Sequence, residues 1–152
     1  MEELARQSDL VVHGRVVSST PVLRGPGGQP GIHTRSTIAI EEVLRGAPSS
    51  NAVEVWTHGG ALEGMRRVVV GQASFEVGED VVVFLFEAGR GYWPTGMSRG
   101  KWLVDDRSSS PTVRPDATHP EATSDRDAGP RLNGSLTLSR LRARVASVSE
   151  AR

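Results

Sequence analysis

The sequence predicts an all-β fold, a small barrel or a sandwich, followed by a C-terminal amphipathic helix. Short segments rich in β-branched and aromatic residues follow one another from Leu10 onwards, and glycines, 17 in the whole chain, separate them. No segment before residue 135 shows the apolar spacing of a long helix. Short strands without intervening helices are typical of barrels and sandwiches.

Seven segments have strand character. His33–Leu44 alternates between apolar and polar residues, which predicts a strand with one buried face. Val81–Phe86 is apolar at every position, which predicts a strand buried on both faces. Glycine and proline mark the breaks between the segments. The other five segments are Leu10–Val17, Val53–His58, Met65–Val70, Tyr92–Pro94 and Lys101–Val104.

Composition limits the size and the chemistry of the protein. The chain has 152 residues, which is the length of one domain. Its 18 basic and 18 acidic residues cancel, so we expect no binding to nucleic acid driven by overall charge. Cysteine is absent, which excludes disulfides, thiolate nucleophiles and cysteine-ligated zinc.

The sequence pattern also bears on membrane and export signals. No apolar run approaches the ~20 residues of a membrane-spanning helix, so we expect no transmembrane segment. The start, Met1–Leu4, has neither a basic region nor an apolar stretch, so we expect no signal peptide in this chain. The sequence leaves export open, since a mature exported form looks the same.

Three regions are predicted along the chain. Residues 8–104 form the β domain. Residues 105–134, rich in Ser, Pro, Asp, Arg and Thr, are predicted to be a flexible excursion. Residues 135–149 form a helix with Thr137 or Ser135 as its N-cap. We expect this helix to pack on the β domain, with a partner-binding helix as the alternative. Its apolar stripe consists of Leu138, Leu141, Val145 and Val148.

One pattern suggests a serine hydrolase. Gly96–Gly100 matches G-x-S-x-G with Ser98 at its centre, and His58-Gly59-Gly60 is similar to an esterase oxyanion loop. Asp105 and His119 follow in the hydrolase order of serine, aspartate and histidine.

The context of Ser98 argues against that chemistry. A nucleophile elbow needs a helix after the serine, whereas Lys101–Val104 has strand character. His119 lies in the predicted excursion, where nothing holds it near Ser98. We therefore predict that the protein is not an enzyme, and a serine hydrolase using Ser98 is the third-ranked alternative.

The histidines do not have metal-ligand spacing. His13, His33, His58 and His119 form neither H-x-H nor H-x-x-x-H. Strand pairing would be needed to bring His13 and His33 together, with Glu54 as a third ligand. We expect no metal site and no cofactor.

The order of short motifs over Ser8–Val104 resembles a known group. It resembles a group of uncharacterised exported bacterial proteins with an OB-like barrel of the netrin/TIMP type. The resemblance implies an OB-like barrel and a location outside the cytoplasm, periplasmic or secreted. TIMP-type inhibitors bind zinc through an N-terminal cysteine, which this chain lacks, so that mechanism does not carry over. The motifs are Ser8–Val16, His33-Thr34, Glu41–Gly46, Gly59-Gly60, Gly71–Phe75, Val77–Phe86 and Gly100–Trp102.

A binding module is the function that the sequence favours. A small closed barrel fills its interior with side chains, so binding residues are expected on loops at its ends. The loops Arg24–His33 and Thr57–Arg67 are the candidates, and the partner is expected to be a protein or a cell-surface ligand. The alternative is a protease inhibitor or an accessory subunit. The candidate binding residues are His58, Leu62, Glu63, Met65, Arg66 and Arg67.

Overall fold

The structure is a computed structural model that describes residues 1–116 and 136–150. The described residues form ten strands and two α-helices, with short 3-10 turns at Pro26–Gly28 and Met97–Gly100. Neither helix is long and apolar enough to cross a membrane. The elements are α1 (Glu2–Arg6), β1 (Leu10–Arg24), β2 (Pro30–Arg45), β3 (Ala52–His58), β4 (Gly60–Leu62), β5 (Met65–Arg67), β6 (Asp80–Ala88), β7 (Gly91–Pro94), β8 (Lys101–Asp105), β9 (Thr112–Pro115), β10 (Leu136–Thr137) and α2 (Leu138–Glu150).

Five of the strands close into a ring in the order β1-β2-β3-β7-β6 and back to β1. Four of these pairings are antiparallel, and the pairing of β3 with β7 is parallel, through Val55 and Tyr92. Strand β6 also pairs with β8, which leads to β9 and β10. The predicted mainly β fold with a barrel and a C-terminal helix is confirmed.

Strand β6 separates the two hydrophobic clusters of the protein. Val81, Val83 and Leu85 point into the barrel, where they pack with inward-facing residues of β1, β2 and β3. Val82 and Phe84 point outwards into a second cluster and are fully buried there. The prediction of a strand buried on both faces is confirmed.

Helix α2 covers the outer cluster. Leu141, Val145 and Val148 pack against the outward-facing side of the sheet. The Thr137 hydroxyl accepts a hydrogen bond from the Arg140 amide at 3.1 Å, which makes Thr137 the N-cap. Ser135, the other candidate, lies outside the described residues.

The predicted excursion begins with ordered structure. Strand β8 runs to Asp105, and β9 pairs with β8 antiparallel. Val113 is fully buried in the outer cluster under the helix, which explains why this polar stretch forms a strand. The sequence pattern missed it because Val113 is a single large apolar residue in a polar context. Residues 117–134 lie outside the described residues.

Candidate binding site at the barrel mouth

The predicted loop 57–67 is a two-stranded hairpin, not an irregular loop. Strands β4 and β5 pair from Gly60–Arg67 to Leu62–Met65, which leaves Glu63 and Gly64 as the two-residue turn. Both have positive φ, 52° and 80°, as a type I′ turn requires. This turn fits the right-handed twist of the two strands, so the sequence specifies a hairpin.

Close backbone contacts hold the hairpin on the barrel. The Gly59 amide donates to the Ile32 carbonyl at 2.9 Å, and the Thr34 hydroxyl donates to the Gly59 carbonyl at 2.8 Å. The Arg67 guanidinium also donates to the Ile32 carbonyl, at 3.3 Å. A Cβ on Gly60 would lie 2.7 Å from the Thr34 hydroxyl oxygen, so a side chain there would push the hairpin away. The two glycines therefore fix the position of β4 and β5.

A cavity of about 410 Å³ lies between this hairpin, the segment 68–75 and the end of the barrel. We call it the mouth cavity. Ser19, Thr34 and Thr57 line it with hydroxyl groups. Thr57 continues the inward-facing row of Val53 and Val55, so the barrel interior changes from apolar to polar at this end.

The charge of the mouth cavity comes from two arginines. Arg66 and Arg67 both line it, and Arg66 has no hydrogen bond or ion pair with any described residue. His58 also lines the cavity. Burial lowers the pKa of His58 below the ordinary histidine value, and the charges of His33 and Arg67 lower it further. His58 is therefore neutral near pH 7, and the positive charge among the lining residues is that of Arg66 and Arg67.

His58 belongs to a ring cluster on the outer side of the barrel wall. Its ring stacks on Trp93 at 4.7 Å between centroids and lies 5.0 Å from His33, its partner across β2 and β3. Behind it is a second cavity of about 270 Å³, lined by His58, Trp93, Phe86 and Gln29. Gln29 comes from the other predicted loop, Arg24–His33, of which only residues 25–29 lie between strands. His58 thus contacts both cavities.

Apolar side chains are exposed beside the mouth cavity. Val68 and Val70 are 70% exposed. Val68 also lines the cavity. A cluster of exposed apolar residues next to a charged cavity is typical of a surface that binds another molecule.

The structure brings together half of the predicted binding residues. Three of them line the mouth cavity, namely His58, Arg66 and Arg67. The other three lie at the hairpin tip, away from the cavity, namely Leu62, Glu63 and Met65.

The sequence analysis missed Lys101. Its side chain is 2% exposed, and its amine contacts Glu79 and Asp116, both at 2.9 Å. It also donates to the Ser74 carbonyl and lies 5.1 Å from the centroid of the Phe75 ring. Lys101 therefore anchors the segment that lines the mouth cavity. The available signal was that the chain's single lysine stands at the start of an apolar run.

The structure describes Ser98, His58 and Asp105 of the serine-hydrolase pattern. Ser98 lies in the 3-10 turn that leads into β8, and its amide donates to the Gly71 carbonyl. Asp105 binds Arg107, whose hydrogen bonds lower the pKa of Asp105 to about 2. His119 lies outside the described residues. The serine is followed by a strand, where an esterase elbow has a helix.

The residues that line the mouth cavity include Ser19, Thr34 and Thr57, the two arginines and the exposed Val68. No protein-family model, curated protein or solved structure matches the chain. A cavity of this volume accommodates a side chain or a short chain segment of a ligand.

Proposed function

We propose that the protein is a non-catalytic binding module that recognises a protein or cell-surface partner through the mouth cavity and the hairpin β4–β5. The observation that carries the proposal is Arg66, which lines the cavity beside the exposed Val68 and has no side-chain partner among residues 1–116 and 136–150. The partner presents a carboxylate beside apolar groups.

The chemistry of Arg66 favours a carboxylate. A guanidinium group binds a carboxylate through two parallel hydrogen bonds. Arg67 adds a second positive charge, while its bond to the Ile32 carbonyl keeps it in place. Ser19 and Thr34 line the same cavity, and the Thr34 hydroxyl, which donates its hydrogen to the Gly59 carbonyl, keeps the capacity to accept a hydrogen bond from an inserted polar group.

The exposed valines favour a partner with an apolar contact surface. Val68 and Val70 are two residues apart and equally exposed, so a partner that covers both removes apolar surface from water. Charged contacts at an interface give specificity, and burial of apolar area gives much of the affinity. A segment with an acidic residue flanked by aliphatic ones satisfies both features.

The architecture supports a role for this end of the barrel. The ring of five strands is the number found in OB-like barrels, which bind ligands through one face and the loops at its edge. The resemblance to exported bacterial proteins suggests that the partner is met outside the cytoplasm. The likeness to OB-like barrels and the location outside the cytoplasm are both part of this proposal.

The test is a binding screen with a matched charge control. The parent protein is panned against a displayed library of random peptides, and selected peptides are measured by titration calorimetry. Arg66→Glu should weaken binding by about tenfold or more, because a charged hydrogen bond is lost and a like charge is introduced. Arg144→Glu, an identical change on the exposed side of α2, should bind like the parent.

The selected peptides carry further information. We expect Asp or Glu next to Val, Leu or Ile. Equal affinity of the Arg66→Glu variant and the parent, with equal melting temperatures, would contradict the proposal. So would a set of peptides without acidic residues.

A further inference from the structure

Three metal-binding side chains meet on the outer surface of the barrel, away from the residues proposed for partner binding. His13 lies on β1, Glu41 on β2 and Asp80 on β6. One ligand atom of each lies within 4.8 Å of the others. The spacing of histidines in the sequence predicted no metal site, and strand pairing brings this set together instead of His13 with His33 and Glu54.

A β-bulge places Glu41 in this group. The pairing of β1 with β2 skips a residue between His13 and Gly14, which leaves Glu41 without a direct partner. The strands approach closely there, since a Cβ on Gly14 would lie 2.2 Å from the Ala39 carbonyl oxygen. A bulge changes the direction of a side chain, and here the carboxylate turns toward His13.

The hydrogen bonds of the group leave one carboxylate without a donor. The His13 Nε2 atom lies 2.7 Å from Asp80 Oδ1 and 3.8 Å from Glu41 Oε1. A ring nitrogen carries one hydrogen at most, and the shorter contact to Asp80 uses it. Two carboxylates therefore face one nitrogen atom, with side-chain exposures of only 12% for His13 and 13% for Asp80.

Arg15 compensates only part of this negative charge. Its guanidinium lies 3.9 Å from Asp80 Oδ2, the oxygen that does not contact His13. It also donates to the Gly78 carbonyl at 2.9 Å. A ligand atom of His13, one of Asp80 and one of Glu41 nevertheless lie within 4.8 Å of one another.

We propose that His13, Glu41 and Asp80 bind a divalent transition-metal ion, with Zn²⁺ as the probe. One imidazole and two carboxylates are ligands that Zn²⁺ accepts at about 2.0–2.2 Å. Tetrahedral coordination at these lengths separates ligand atoms by about 3.4 Å. The two distances to His13 bracket that value, so rotation of the half-exposed Glu41 side chain and a small opening of the His13–Asp80 contact suffice. The ion ties β1, β2 and β6 together, and its fourth position faces solvent.

The experiment is a titration of the chelator-treated full chain with ZnCl₂, followed by calorimetry. We expect one tight equivalent per chain and a higher melting temperature with the ion present. Titration with Co²⁺ gives a second readout, since tetrahedral Co²⁺ absorbs visible light strongly. Absence of binding, or binding without a change in melting temperature, would overturn the proposal.

The variants locate the site. Glu41→Gln should weaken Zn²⁺ binding by about tenfold or more, with an unchanged melting temperature in the absence of metal. Glu54→Gln is the matched control, because Glu54 is also a half-exposed strand glutamate with an ion-pair contact at 3.8 Å, to Arg35. His13→Gln should remove the tight equivalent. Equal affinity of Glu41→Gln and Glu54→Gln would show that the ion binds elsewhere. Arg66→Glu should bind Zn²⁺ like the parent, so this test is independent of the mouth cavity.

Discussion

Two surfaces of the barrel differ in how far other described parts of the chain cover them. On one side, helices α1 and α2 cover the sheet, and Val82 and Phe84 have no exposed surface. At the mouth, Val68 and Val70 are 70% exposed, and Arg66 has no partner among the described residues. The described residues therefore bury the hydrophobic side chains on one side and leave Val68 and Val70 exposed on the other. If the proposed function is right, the residues that stabilise the fold and those that bind the partner are mostly different ones.

The largest expected effect is on the covered side. Phe84→Ala should lower the free energy of unfolding by about 3–5 kcal/mol, because it removes a large side chain from a fully buried position. Urea denaturation measures the change. Peptide binding at the mouth should be preserved under conditions where the variant is folded. At about 2–4 °C per kcal/mol for a chain of this length, a melting temperature within a degree or two of the parent's would show that the outer cluster contributes little.

Substitution of Lys101 tests whether the stability of the fold and peptide binding at the mouth depend on the same side chain. Lys101→Met should lower the free energy of unfolding by about 3 kcal/mol, because it leaves Glu79 and Asp116 partly or fully buried without their cation. It should also weaken peptide binding, since the Ser74 carbonyl loses its donor and the cavity segment is released. The two effects are measured by denaturation and calorimetry. Replacement of Glu79 by Gln in the same variant should recover part of the stability. Unchanged binding would mean that the segment keeps its position without Lys101.

The smallest effect concerns pH at the mouth. The pKa of His58 in the folded protein lies below its ordinary value of 6.5, mainly because of burial. On acidification the unfolded chain binds this proton first, so the contribution of His58 to stability is complete above pH 6.5 and is lost toward the lower folded pKa. His58→Gln should therefore lose less stability than the parent between about pH 7.5 and about pH 5. Denaturation curves across that range measure how the free energy of unfolding changes with pH. An equal change in the parent and in His58→Gln would contradict the lowered pKa of His58.

Local patterns in the sequence were sufficient to predict most of the strands, the C-terminal helix and which of their faces are buried. The apolar run of β6 and the stripe of α2 predicted burial correctly, because the period of a strand or a helix is set by neighbouring residues. The order of strands in the ring was not predictable in this way. Alternation shows which face of a strand is buried, but not which strand lies beside it. Strand β9 was missed because its burial depends on α2, which follows it in the chain.

The candidate sites depend even more than the fold does on pairing between strands that are distant in the sequence. His58, Arg66 and Arg67 were found because one hairpin carries them, so that proximity in sequence becomes proximity in space. His13 and Asp80 are 67 residues apart and meet only through the pairing of β1 with β6. Lys101 reaches Ser74 across 27 residues. Neither cluster has a local motif, because its members lie on different strands.

The ring of strands has a consequence for how the chain folds. Strands β1 and β2 are neighbours in sequence and pair along most of their length, so they form early. The ring closes only after β6 has paired with β1 and β7 with β3, through contacts such as Leu10 with Leu85. Before the ribosome has released β6 and β7, the outer edges of β1 and β3 lack the strands that pair with them in the ring, and such edges associate with other chains. We therefore expect slow folding after synthesis, and aggregation of fragments that end before Asp80.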